Sequence, residues 1–351
     1  MNFTFSEDQE MFRDSVRGLL ERVCSAEVVR GLWQTESGRS SEMWSAIAEL
    51  GLLGLMVPES AGGLGMNEVD LVLPLIETGR AALPGPIVEC AAVAVPMLRD
   101  LGDAGVIDRW LPAVAGGAAI LSVGHGANAF VADAHIADLL LLPHGDELHA
   151  VPRGAATLTR QPTNDRGRHL YRADWTPGAA TRVCDGARGR ALWSDAFDRG
   201  AFGGAAQLLG VAQQLVDIAV RYAAQREQFG KPIGSFQAIK HLLANVQVKI
   251  EFAKPLLYRA ANSLGHARNT RSVDVSQAKA TAGEAAAAAA RTSLQVHGAI
   301  GYTWECDLQI WMKRAWSLDL AWGSAAWHRA RIADAVIDGA APARSFGFEP
   351  R

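Results

Sequence analysis

The segment "AKATAGEAAAAAARTSLQVHG", Ala278 to Gly298, constrains the fold more than any other stretch of the chain. Alanine makes it strongly helical by intrinsic propensity. Its small side chains let neighbouring helices approach closely. It suits a buried bundle, either as an ordinary core helix or as a helix continued across a subunit interface. The residues before it supply partners. Leu208, Leu209, Ala212, Leu215, Val216, Ala219 and Tyr222 form one stripe at helical spacing, and Phe236, Ile239, Leu242, Leu243, Val246 and Ile250 form another. Pro255 is expected to kink or end that second helix, or to open the next.

The first third is also helical by pattern. Ser6 with Gln9 fits a capping box, and Met11, Phe12, Val16, Leu19, Leu20 and Val23 then recur at helical spacing. Further helix signals cover Met43 to Leu53, Glu68 to about Arg80, and Ile87 to Leu101. The loop "VPESAGGLGM" reads as a packing turn. The middle differs. Short apolar runs ("AILSV", "ADLLLLP", "LHAVP", "ATLTR") alternate with Gly, Pro, Asp and Asn, a strand-and-turn pattern with room only for a small barrel or sandwich. The expected fold class is α+β, mostly α. Its units are a helical domain over 1–117, a shortened central β-domain over 118–190 and a helical bundle over 191–351.

Several function classes are excluded. Net charge is -3 and no Lys/Arg-rich run occurs, so nucleic acid is not an expected partner. No apolar run approaches the roughly 20 residues that span a bilayer. The opening "MNFTFSEDQEMF" is too acidic for a signal or transit peptide, so a cytoplasmic location is expected. Cys24, Cys90, Cys184 and Cys306 form no CxxC pair and the histidines no HExxH, so neither a metal motif nor a disulfide framework is indicated. Rossmann and P-loop fingerprints are absent too. The phosphates of any nucleotide-like cofactor need another device.

Two stretches offer one. "REQFGKPIGSFQAIKH" places Arg226, Gln228 and Phe229 in a loop between two long helices, with Gln237 opening the second. Arginine presents a planar fork to phosphate oxygens, glutamine can satisfy cofactor donors and acceptors, and phenylalanine can cover a ring. "QVHGAIGYTWECD" holds Gln295, Val296, His297, Gly298 and Ala299, a loop whose glycines allow the backbone close to a ligand. Each stretch alone also fits an ordinary helix-connecting loop.

Together with "FSEDQ", "LGLLGLMVPESAGGLG" and "QVHGAIGYTWECDLQIWMKRA", these stretches make the chain resemble the acyl-CoA dehydrogenase family over essentially its full length. The resemblance implies a helical domain, a central β-domain and a C-terminal four-helix domain. It implies FAD as cofactor, an acyl-CoA as substrate and an electron-transfer flavoprotein as electron acceptor. It also implies 2,3-dehydrogenation, in which a carboxylate removes the α-proton while a hydride leaves the β-carbon for the flavin.

The chain departs from the family where that carboxylate belongs. The usual catalytic Glu position is Trp322, and an indole accepts no proton from carbon at neutral pH. The position used for the base by some relatives falls on Gly200 and Ala201. Asp195 and Asp198 are the nearest remaining carboxylates. A separate loss lies in "LSVGHGANAFVADAHIAD", Leu121 to Asp138, which lacks the family's Thr-Glu-Pro core. By contrast, Arg226, Phe229, Gly230, Gln237, Gln295 and Gly298 are kept. In the resembling enzymes these loops reach a neighbouring subunit's FAD. Ala299 replaces a second glycine there. This division resembles the non-catalytic, β-type subunit of α2β2 acyl-CoA dehydrogenases, such as those acting on sterol side-chain CoA thioesters. The expected partner is a related catalytic chain, with FAD shared across the interface and no catalytic residue of this chain's own. An active homotetramer with a displaced base, a flavin monooxygenase of the same fold and a purely structural member are the alternatives. Glu305 and Asp307 are expected to have a structural or cofactor-loop role rather than a catalytic one, His241 and His297 to be packing histidines, and Lys313 and Arg314 to lie on a solvated or interface face.

Overall fold

A computed structural model describes residues 4–339; residues 1–3 and 340–351 of the expected terminal domains lie outside the described residues. Six α-helices come first: α1 (Glu7–Val23), α2 (Ala26–Leu32), α3 (Ser41–Glu49), α4 (Glu68–Arg80), α5 (Val95–Leu101) and α6 (Ala104–Ala115). The Ser6–Gln9 capping box opens α1 as expected. Val88–Ala94, directly before α5, is wound as a π-helix rather than the expected α-helix. Such widened turns commonly sit at functional sites.

Seven strands follow: β1 (Leu121–Val123), β2 (Val131–Ala132), β3 (Leu139–His144), β4 (Glu147–Pro152), β5 (Thr157–Gln161), β6 (Leu170–Asp174) and β7 (Arg182–Cys184). They form two sheets, ordered β1-β3-β4-β7 and β2-β6-β5. β1 runs parallel to β3, and the other pairings are antiparallel. The run "LLLL" in β3 has a simple cause. Leu139 and Leu141 face the main core, while Leu140 and Leu142 face a second core with Val131, Val151 and Tyr171. A strand buried on both faces has no polar side to show.

The last third is helical: α7 (Gly186–Gln225), α8 (Gln237–Gly265), α9 (Arg271–His297), α10 (Leu308–Leu320) and α11 (Ala325–Ile337). A short hairpin, β8 (Glu227–Gln228) and β9 (Lys231–Pro232), joins α7 to α8. α7 is about 60 Å long by its 40 residues and packs against α4, α8, α9 and α10. Its crossing with α4 brings backbones together: a Cβ on Gly210 would lie 1.9 Å from the Ile76 carbonyl oxygen, and one on Gly79 2.1 Å from that of Gln207. Pro255 neither ends α8 nor opens a new helix. The helix runs through it because Ala253, Leu257, Ala260 and Ala261 are buried in the main core on either side, and that packing outweighs one missing backbone hydrogen bond. Among the described residues no helix is long and apolar enough to cross a membrane.

Candidate functional site

The two cofactor-type loops lie at one end of the bundle. Ala219, Ala223 and Val296 form a small core of their own, flanked by Tyr222, Ile233, Ile239 and Leu243. The His297 ring stacks on Tyr222 at 4.3 Å, and its Nδ1 donates to the Ser293 carbonyl at 2.7 Å. The side chains of Val296 and His297 therefore face this chain's own interior, and only their backbone is left to meet a ligand. Gln295, Gly298 and Ala299 are exposed. Gly298 has φ 63 and ψ -142, a conformation closed to L side chains, and open space where a Cβ would be.

The other loop projects further. Arg226, Gln228 and Gln237 are exposed, and Phe229 is 91% exposed. Phe229 and Gly230 form the two-residue turn of the β8–β9 hairpin with φ 55 and φ 76. A bulky residue at positive φ is strained, yet here it holds an aromatic ring in solvent. Both loops thus turn exposed polar groups and backbone outward to solvent.

The position expected for the catalytic carboxylate is different. Trp322 is 1% exposed, with φ 56 in the turn between α10 and α11. Its indole lies flat against Gly200 of α7: a Cβ there would be 2.2 Å from Trp322 Cδ2. The two alternative base positions thus converge in space, and the indole occupies the room that the glycine vacates. The Trp322 N–H donates to Asn128 Oδ1 at 2.7 Å, and the His125 ring lies 5.7 Å from the indole. Asn128 and His125 belong to the stretch that lacks Thr-Glu-Pro. The two departures read as separate in the sequence are in contact in the fold.

Two buried groups from the bundle fix this turn. His328 Nε2 donates to the Trp322 carbonyl at 2.9 Å, and its Nδ1 accepts from Ser276 at 3.0 Å. Burial is the main cause that pushes the His328 imidazole down to about 4, so the ring is neutral. Lys279 Nζ donates to the carbonyls of Asp319 (2.9 Å) and Gly323 (3.0 Å), and burial lowers its ammonium to about 8. A cavity of about 10 Å3 beside the indole is lined by residues including Val88, Glu89, Arg168, Gln207 and Arg314. That is room for roughly one water. The indole Nε1 itself has no partner.

The carboxylates named as substitutes are committed elsewhere. Asp198, fully buried, accepts from Ser272 and Arg331, each at 2.6 Å. Asp195 pairs with Arg271, and burial raises its carboxyl. The sequence reading missed Glu89, a buried carboxylate in the π-helical turn that pairs with Arg168 at 3.2 Å. No sequence signal marked it, because its partner is 79 residues away. Arg314 also departs from expectation. It is not on a solvated face but 2% exposed, bound to Asp165 at 2.5 Å and to the Leu83 carbonyl. Lys313 sits over the Trp304 ring, and Asp307 pairs with Arg30.

Comparison with known proteins decides the family. The acyl-CoA dehydrogenase N-terminal domain model matches residues 6–118, and the C-terminal domain model matches 187–337. The acyl-CoA dehydrogenase IpdE2 of Mycolicibacterium smegmatis is 32% identical over 88% of this chain and 93% of its own length. The chain belongs to the acyl-CoA dehydrogenase family. Solved structures share the fold. One is the ChsE4-ChsE5 complex from Mycobacterium tuberculosis, at TM-score 0.84 and 25% identity over 98% of this chain and all of that one. Another is a variant of the Tcur3481-Tcur3483 steroid enzyme, at TM-score 0.85 and 24% identity over 96% and 99%.

Proposed function

We propose that this chain is the companion subunit of a heteromeric acyl-CoA dehydrogenase. It lends the Arg226 and Gln295 loops to an FAD site on a related catalytic chain, and its own substrate site is closed. The observation that carries this reading is the Trp322 indole packed on Gly200, with space for about one water left beside it. A site without room for an acyl chain needs no base. Exposed Arg226 would meet cofactor phosphate, Phe229 and Gln228 would cover and hydrogen-bond its rings, and the backbone at Gly298 would approach the diphosphate. FAD, when bound, takes the hydride from the acyl β-carbon; this chain's part is to hold and orient it. The substrate is a bulky acyl-CoA, such as a sterol side-chain thioester, bound mainly on the partner, and an electron-transfer flavoprotein collects the electrons.

The test is expression of this chain alone and together with a related catalytic chain, with enoyl-CoA formation measured. The chain alone is expected to be inactive. In the complex, replacing the partner's catalytic carboxylate should abolish all turnover. Residual turnover approaching half would show that this chain has a working site. One observation favours that rival, an active site with a displaced base: Glu89 is a buried carboxylate in the remaining space. Glu89→Gln in the complex separates the two. Turnover within about twofold supports the companion role, and a loss of a hundredfold or more, the scale of a missing general base, supports the rival.

A further inference from the structure

The stretch that lost Thr-Glu-Pro ends in "VADAHIAD", and it builds a cluster away from Trp322. Asp133 and His135 lie in the turn after β2, and His169 immediately precedes β6. One ligand-type atom from each lies within 4.8 Å of the others. Asp133 and His169 are 4% and 1% exposed, and His135 is half-buried.

The hydrogen bonds do not satisfy this cluster. Asp133 Oδ1 accepts from the His169 N–H at 3.1 Å, but Asp133 Oδ2 is buried without a partner, as is His135 Nδ1. Buried polar atoms in folded proteins nearly always have one. Proton placement makes the conflict sharper. The Ser37 carbonyl, 3.0 Å from His135 Nε2, can only accept. Arg160, 3.1 Å from His169 Nε2, can only donate, which leaves the proton of a neutral His169 on Nδ1. His135 Nε2 and His169 Nδ1 are 3.3 Å apart, so two N–H groups face each other. A cation removes the conflict. Two imidazole nitrogens bound to one tetrahedral zinc at about 2.0–2.1 Å lie about 3.3–3.4 Å apart.

We propose that Asp133, His135 and His169 hold a divalent transition-metal ion of the zinc class. Asp133 Oδ2 is the third ligand, and the Ser37 carbonyl borders the site. The loop Ser37–Gly38 belongs to the helical domain, and Gly38 sits so close over the His169 ring that a Cβ would be 2.6 Å from Cε1. The ion therefore ties that domain to the β-sheets and is structural. Metal binding moves the His169 proton to Nε2 and the His135 proton from Nε2 to Nδ1, so the exposed Arg160 must swing away. The guanidinium competes with the metal.

The experiment uses the full chain stripped with chelator and titrated with zinc against a chromophoric competitor, with melting temperature followed in parallel. One zinc per chain is expected, with a raised melting temperature. His135→Gln and His169→Gln should each weaken binding at least tenfold, while His144→Gln, in the other histidine–carboxylate cluster with Glu147 and His149, should not. Arg160→Ala should tighten it. Should the histidine variants not fold, wild type and Arg160→Ala still decide. Zinc that binds wild type no more tightly than His135→Gln overturns the proposal. So does an Arg160→Ala chain with unchanged zinc affinity, since a plain histidine–arginine network predicts that.

Discussion

The turn at Trp322 and the hairpin at Phe229 are built from similar parts and put to opposite use. Both place a large aromatic residue at positive φ, 56 and 55. Trp322 is 1% exposed and Phe229 is 91% exposed. The first is held by Asn128, His328 and Lys279 from three separate elements. The second is held by a two-residue hairpin turn and little else. Strain at Trp322 is repaid by burial of the indole. At Phe229 the chain supplies one edge contact, with the Phe236 ring at 6.1 Å, and the ring stays exposed. The difference is one of burial: one aromatic ring closes a turn in the core, and the other stands in solvent.

The comparison can be broken most forcefully at Trp322. Trp322→Ala should cost this chain about 3–5 kcal/mol of stability, the usual range for deleting a buried Trp, measured by urea unfolding. Turnover per folded complex should hardly change. A collapse in turnover with assembly intact would mean the region still takes part in chemistry.

Acid should loosen the same turn. His328 is held near 4 against an ordinary 6.5, so the unfolded chain binds the proton first. The stabilisation is complete above 6.5 and is lost as pH falls from 6.5 toward 4. The loss is on the order of 3 kcal/mol. His328→Gln should flatten that part of a stability–pH curve.

A smaller effect sharpens the packing claim. Gly200→Ala should cost about 1–3 kcal/mol through overpacking against the indole. Because the two side chains share one space, the double change with Trp322→Ala should be less damaging than the sum of the two singles. Strict additivity would mean that they do not touch in solution.

Much of this was legible in the sequence, for identifiable reasons. α4 was expected over Glu68 to about Arg80 and runs Glu68–Arg80 because its caps and periodicity agree locally. The helix breaks at Phe229–Gly230 and at Gly298 were legible as loops because glycine and local backbone shape set them. Departures arose where distant packing prevailed. Pro255 did not stop α8, Arg314 found Asp165 across 149 residues, and Glu89 was hidden in a turn of unusual winding. The meeting of Trp322 with Asn128 joins positions 194 residues apart. Sequence showed two departures from the family pattern there, and only the fold shows that they touch.

The central claim is that the outward loops serve a cofactor held next door. Flavin content of the complex carrying Arg226→Ala in this chain alone tests it most directly, read from the flavin absorbance relative to protein. Loss of one charge-assisted hydrogen bond should weaken FAD retention by roughly tenfold to a hundredfold, with the melting temperature of the isolated chain unchanged. A complex that keeps its full flavin after this change, at limiting FAD, would contradict the account.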